Sequence, residues 1–382
     1  MLALLGPVSK CEVFPSLRRR HSKVHRMTKR VCYVHIGPHK TGTKAIQWFL
    51  KEHRTELLKY GYFVPESGNI HGGHHAIARI FCGKDVPDHE QSLAARFAQT
   101  IREMSCETVV ISSEALDALL RNSEYAKSFF NRLKELNLEP KLVVFPRNQS
   151  QSMNSRYTEV VKSFSRSEAF EAFVQAEIHH PSFRYSYWIG LADAFDAELI
   201  PRPFNKETLV RGVVPEFLLA IGINSSQFGG AEVRCNETAG PFTVNVAREV
   251  LRSVAPAGKP LKWRQAARCK QKLAAYLEQK GWTDAGYCGL STSLARHIEK
   301  QSCSDNDAFA HSVWGRPWDE IFATDVTEAF TPNDFEMRPP DWFTARRLRR
   351  AIRKMNALAH EILSDPELAV EAPWNDVAHR SG

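Results

Sequence analysis

The chain has 382 residues, 43% of them hydrophobic and 25% charged, with a formal net charge of +8 and an isoelectric point near 9.0. This is an ordinary soluble globular composition, long enough for two domains or for one large α/β domain with additions. The basic balance points to acidic ligands such as nucleotides, phosphates or sulfated and uronic sugars, although a mild positive excess also serves solubility alone. No zinc-finger spacing, RNP signature or recognition helix supports nucleic acid as the partner. The eight cysteines form no CxxC pair and no Cys/His cluster with zinc spacing, so they read as reduced thiols of a cytoplasmic protein with no metal site.

Residues 1–29 differ from the rest. Leu2 to Val8 is apolar but far too short to span a bilayer, and Arg18, Arg19, Arg20 and Lys29 follow it. The segment reads as a disordered or mis-called tail with Met27 as an alternative start; an Arg-rich presequence is the rival. No other stretch approaches a transmembrane helix.

Val31 to Ile36 is an apolar, β-branched run that suits a buried parallel strand. Gly37-Pro38-His39-Lys40-Thr41-Gly42-Thr43 then turns into a helix with Ile46, Phe49, Leu50, His53 and Leu57 on one face. A strand, a glycine-containing loop and a helix start together make an anion cradle: Gly37 and Gly42 let the backbone approach, N–H groups point outward and Lys40 adds charge. The NTPase form of such a loop carries Lys-Ser/Thr after the second glycine, and here Thr43-Lys44 stands there instead. Nothing in the loop is arranged for Mg²⁺, so the cradle is expected to work without metal. The bland alternative is a glycine turn that binds nothing.

The order Lys-Thr-Gly-Thr after a strand resembles the 5′-phosphosulfate loop of sulfotransferases that use 3′-phosphoadenosine 5′-phosphosulfate (PAPS). The longer His35-Ile36-Gly37-x-x-Lys40-Thr41-Gly42-Thr43 is similar to the prokaryotic-type members. The resemblance implies that Gly37, Lys40, Thr41, Gly42, Thr43 and Lys44 hold the 5′-phosphosulfate, with Lys40 also catalytic.

Further on, Tyr60 to Pro65 reads as a turn and a short strand. Gly68 to Arg79 is a Gly/His loop running into a helix, where His71, His74 and His75 offer a general base with an unperturbed pKa near neutrality. A metal cluster is the rival reading, but no Cys, Asp or Glu accompanies the histidines; a surface turn is the bland one. Ser92 to Met104 is an amphipathic helix, and Thr108 to Ser112 is a second buried strand ending in Ser113-Glu114. Strand ends gather ligand groups in open α/β sheets, so Glu114 is the second candidate base; its plain reading is a residue favoured at a helix N-terminus. The resemblance supports both, since that superfamily uses a His or Glu base and its prokaryotic-type members carry Ser-Ser-Glu after this strand.

Lys141 to Phe145 is the third strand, followed by Pro146-Arg147-Asn148 and a helix over Gln149 to Ser163. Arg147 offers a rigid fork for a phosphate dianion, and Ser155, eight residues on, lies about two turns into the helix. The resemblance implies that Arg147 and Ser155 bind the 3′-phosphate, with Tyr157 and Lys162 continuing the wall. Taken alone, Arg147 would be a surface or cap residue.

A helix over Tyr185 to Phe195, a strand at Glu198 to Ile200, Arg202-Pro203-Phe204 and a helix carrying Phe217, Leu218 and Ile221 complete this half. Gly229, Gly230, Arg234 and Asn236 are loose candidates for the loop that covers the adenosine in that superfamily. The rest reads as helices near Val244 to Ser253, Leu261 to Lys280, Leu290 to Gln301 and Phe343 to Leu363. Trp314, Trp318 and Phe322 fall in a loop-rich stretch that packs on the core or faces a sugar. In the last helix, Leu348, Ile352, Met355, Leu358 and Ile362 share one side, and Arg346, Arg347, Arg349, Arg350, Arg353 and Lys354 read as a solvated face, with a surface for an acidic polymer or membrane as the alternative.

The expected fold is α/β: a P-loop three-layer sandwich over residues 30–227 with a central parallel sheet flanked by helices. A mainly helical part, 228–382, packs on it. The expected activity is sulfuryl transfer from PAPS to an acceptor hydroxyl or amine, with a sugar as first choice. A P-loop kinase or NTPase using Mg-ATP, or a non-catalytic nucleotide- or polyanion-binding protein, is the alternative.

Overall fold

Cys32, Val34 and Ile36 are fully buried, as a strand covered on both faces requires. They belong to β1 (Arg30–Ile36), the central strand of the protein. The computed structural model describes residues 29–369 except 39, 67–71, 105, 229–238, 256–258, 283, 285 and 327–328. The tail before residue 29 and the candidates His71, Gly229, Gly230, Arg234 and Asn236 lie outside the described residues.

After β1 come α1 (Thr43–Glu52), α2 (Arg54–Lys59), β2 (Tyr62–Phe63), α3 (His75–Phe81), α4 (Asp88–Glu103), β3 (Thr108–Ser113), α5 (Ala115–Leu119), α6 (Ser123–Glu135) and β4 (Leu138–Val144). Then follow α7 (Gln149–Lys162), α8 (Phe170–Glu177), α9 (Ser186–Ala194), β5 (Glu198–Pro201), α10 (Lys206–Arg211) and α11 (Val213–Ala220). The remainder is helical: α12 (Pro241–Val254), α13 (Trp263–Gln279), α14 (Thr292–Trp314), α15 (Trp318–Ile321), α16 (Ala323–Val326) and α17 (Trp342–Ser364).

The five strands form one all-parallel sheet in the order β2-β3-β1-β4-β5. Alternate strand residues face opposite layers. Val34, Ile111 and Leu142 pack with Phe97, Phe129 and Trp188 of α4, α6 and α9. Val110, Val143 and Phe145 pack with Ile46, Phe49 and Phe217 of α1 and α11. Only the crossover leaving β1 runs toward β2; those leaving β2, β3 and β4 run the other way. With right-handed crossovers, α1 therefore lies on the opposite face from α4, α6 and α9, and a crevice opens at the carboxyl end of β1. Register levels that end: His35 pairs with Ser112 and with Val143, so the chain leaves β1, β3 and β4 at one edge.

β4 begins three residues earlier than the Lys141 start read from the sequence. Pro140 precedes the β5 pairing, which starts at Lys141, so its missing N–H falls where that edge is open. α14 runs to Trp314, well past the expected Gln301. It returns Phe309 and Ala310 to the sheet's own core, together with Trp318 and Phe322. Those aromatics are packed, with the Trp318 and Phe322 rings 4.1 Å apart, and offer no surface to a sugar.

The second core joins Met153, Tyr157 and Val161 of α7 to α12, α13 and α17. At its centre Arg248, 0% exposed, makes two 2.9 Å bonds to the Asp334 carboxylate and one of 2.9 Å to the Tyr157 hydroxyl. Tyr287 donates to the same carboxylate at 2.6 Å. Tyr157 is thus committed to the core and does not continue the wall of a ligand site, as the sequence reading had it.

Candidate functional site

The loop after β1 is shaped by two positive-φ residues, Lys40 at 69° and Gly42 at 76°. Gly42 is the N-cap of α1 and supplies no capping side chain; its carbonyl accepts from the Ala45 N–H at 2.9 Å, which leaves the Thr43 and Lys44 N–H groups without a bond from the cap. A Cβ on Gly42 would meet Val213 at 2.7 Å, and one on Gly37 would meet Thr43 Oγ1 at 2.3 Å. Only glycine lets the loop close this tightly. The Thr41 hydroxyl donates to the Pro38 carbonyl at 2.8 Å and is spent inside the loop. Thr43 is 2% exposed, and its Oγ1 has no hydrogen-bond partner among the described residues. Of the two threonines expected to hold an anion, Thr43 alone keeps its hydroxyl for the task.

Lys40, with a side chain 18% exposed, reaches Glu159 of α7 at 2.8 Å. Lys162 contacts the same carboxylate oxygen at 2.8 Å, and Lys270 of α13 reaches the other at 3.3 Å. Burial lowers the Lys40 pKa, and the Glu159 hydrogen bond and charge work against that. Burial also pushes the Glu159 carboxyl up, but the hydrogen bonds and charges of Lys162 and Lys40 outweigh it and hold it far below the usual carboxylate range.

Arg147 leaves β4 beside this loop. Its Nη1 donates to the Lys40 carbonyl at 3.0 Å, and its guanidinium lies 5.4 Å from the Phe204 ring centre. The buried Tyr185 hydroxyl accepts from the Arg147 N–H at 3.2 Å and donates to the Arg147 carbonyl at 2.6 Å, which fixes the backbone. Ser155 is half-buried on α7. Glu159 and Lys162 follow it at steps of four and three, on the same helix face. The loop, Arg147 and this stripe of α7 therefore converge.

The histidines divide. His74 is 1% exposed; its Nε2 donates to the Pro65 carbonyl at 2.9 Å, and its Nδ1 accepts from the Ser112 N–H at 3.1 Å. Both ring nitrogens are in use and burial lowers its pKa, so His74, one of the histidines expected to serve as base, is a neutral structural residue. His75 is half-buried, with Nδ1 2.9 Å from the Ser113 hydroxyl. When Nδ1–H donates to Ser113, Nε2 carries the lone pair a base needs. A Cβ on Gly73 would lie 2.6 Å from His75 Nε2 and 2.7 Å from Gln47 Nε2, so these two side chains face one point. Glu114 holds the N-cap position of α5 at the end of β3, half-buried and without a side-chain cap bond.

Sequence reasoning missed Glu159, Lys270 and Gln47. Glu159 had a signal, since it stands four residues after Ser155; Lys270 and Gln47 come from helices that only the tertiary fold brings near. His35 also escaped notice as a buried group: its Nδ1 is 2.8 Å from Ser112 Oγ, and burial lowers its pKa to about 3. Among the described residues no group of three metal-ligating side chains occurs, and no helix is long and apolar enough to cross a membrane. Comparison with protein-family models, with curated proteins and with solved structures gives no significant match.

Proposed function

We propose that this protein is a P-loop sulfotransferase that moves a sulfuryl group from PAPS to an acceptor hydroxyl or amine. The observation that carries the reading is the convergence of Lys40, Arg147 and the Ser155 face of α7 at the carboxyl end of the sheet. The residues fit the donor. Thr43 has a buried hydroxyl without a partner among the described residues, and it lies so close to Gly37 that a Cβ there would overlap it. The N–H groups of Thr41 to Lys44 and the Thr43 hydroxyl hold the 5′-phosphosulfate, while Arg147 and Ser155 take the 3′-phosphate. The acceptor oxygen or nitrogen attacks sulfur in line as the bond to the bridging phosphate oxygen breaks. Lys40 neutralises the charge that grows on that leaving oxygen. The acceptor proton passes to His75, with Glu114 as the second candidate. A sugar remains the acceptor class proposed, on the basic balance alone, because Trp318 and Phe322 are buried and Trp314 is half-buried against the core.

Calorimetric titration with 3′-phosphoadenosine 5′-phosphate, with and without Mg²⁺ and with ATP as control, tests the reading. Binding that ignores Mg²⁺ and disappears in Arg147→Ala is expected. Mg²⁺-dependent binding of ATP, with none of the bisphosphate, overturns it in favour of a kinase or NTPase.

A further inference from the structure

The outer face of α17 carries six cations, Arg346, Arg347, Arg349, Arg350, Arg353 and Lys354, with no acidic residue between Trp342 and His360. The helix buries Ala351, Met355, Ala359 and Ile362 against the second core. At 100° per residue, Trp342, Arg346, Arg349 and Arg353 form a stripe on the side directly opposite that buried line. Among the described residues, none of the three arginines of this stripe makes an ion pair.

A face that is merely solvated mixes signs, because like charges three and four apart repel. This one does not. The cations also load the N-terminal half of the helix, and its last turn holds none, so the macrodipole does not reward them. At the head of the stripe Trp342 and Phe343 are 60% and 70% exposed, the two most exposed aromatic side chains described. Their rings are 5.0 Å apart and nearly perpendicular, at 84°. The Arg346 guanidinium sits 5.5 Å over the indole. An edge-on pair with one face already covered is a poor flat platform for a sugar ring or a base. It makes a good wedge between lipid headgroups, backed by cations at headgroup level.

We infer that α17 is a docking surface for an anionic phospholipid membrane, with Trp342 and Phe343 inserting and the arginines binding phosphate. The inference stands apart from the proposed sulfuryl transfer, since α17 packs on α12 and α13 and supplies none of the residues placed in the candidate site. Both signals are needed, because neither a single small wedge nor a basic patch alone anchors stably.

The test is co-sedimentation of the full chain with phosphatidylcholine vesicles, with and without phosphatidylglycerol, at low and high salt. Binding is expected only with phosphatidylglycerol and is weakened by salt. Arg346→Gln/Arg349→Gln/Arg350→Gln/Arg353→Gln is expected to lower partitioning by about two orders of magnitude or more. Trp342→Ser/Phe343→Ser is expected to lower it by about tenfold. All six sites are on the surface, and circular dichroism checks that the variants keep their fold. Failure of the wild-type chain to bind anionic vesicles overturns the inference. So does binding that the aromatic substitutions leave unchanged, which marks a general polyanion site; heparin and duplex DNA as competitors identify that outcome directly.

Discussion

Arg248 and Lys40 are both cations held against carboxylates inside the protein, yet their surroundings differ. Around Arg248 the charges are paired: the guanidinium meets the Asp334 carboxylate through two bonds and lies 3.4 Å from Glu336, while Tyr157 accepts from it and Tyr287 donates to Asp334. Around Lys40 they do not match. Three lysines crowd one carboxylate, Glu159, and the Thr43 hydroxyl in the same loop has no partner among the described residues. The first cluster pairs its cation with carboxylates and locks α12 to α7 and to the segment around Asp334. The second is over-supplied with positive charge and donors, which is the state expected where a further anion belongs.

Breaking the paired cluster should have the largest effect. Asp334→Ala leaves Arg248 buried with only the Glu336 carboxylate, 3.4 Å from its Nε, and urea unfolding should show a loss of about 3 kcal/mol. Binding of 3′-phosphoadenosine 5′-phosphate should persist wherever the protein remains folded. In the other cluster the expectation reverses: Lys40→Ala should leave the unfolding midpoint nearly unchanged while sulfuryl transfer falls by about three orders of magnitude. A well-folded Lys40→Ala that keeps its turnover would break the comparison.

The clusters should also be silent in mild acid, because the Asp334 and Glu159 carboxyls are both held below their usual range. The loss there should come from buried histidine. His35 has its pKa lowered from 6.5 to about 3, so the unfolded chain binds the proton first and stability falls as pH drops below 6.5. At pH 5 this amounts to about 2 kcal/mol, and His35→Gln should flatten the profile of stability against pH between 7 and 5 by about that amount. The smallest effect sharpens the comparison most. Glu159→Gln removes the internal competitor for Lys40 and Lys162, so affinity for the bisphosphate should rise by roughly fivefold, or about 1 kcal/mol, in calorimetry. Weaker binding in this variant would mean that Glu159 orients Lys40 and does not compete with the ligand.

Much of the sheet was legible because its strands are continuous apolar runs bounded by turn residues, and period and length identify such segments. The loop was legible for a related reason: Gly37 and Gly42 stand where backbone approaches side chain too closely for a Cβ. The role of His74 was not legible. Its neighbour His75 has the same chemistry, and only the register that sets it against the Ser112 N–H and the Pro65 carbonyl separates the two. The length of α14 was hidden by a polar middle, since Ser302 and Asn306 are buried through tertiary contacts that no periodicity reveals. Glu159 was read past because one carboxylate on a helix is ordinary until a loop from more than a hundred residues away lays a lysine on it.

The level ends of β1, β3 and β4 carry a consequence for how such a site can change. Lys40 and Arg147 face one another across β1 and β4, while His75 and Ser113 belong to the other flank of β1, on β3 and α3. Under the proposed function, donor handling and acceptor handling are inherited as separate modules that share a single strand. Substitutions accumulating on the β3 flank can shift what is modified generation by generation, while the flank that grips the donor goes on unaltered.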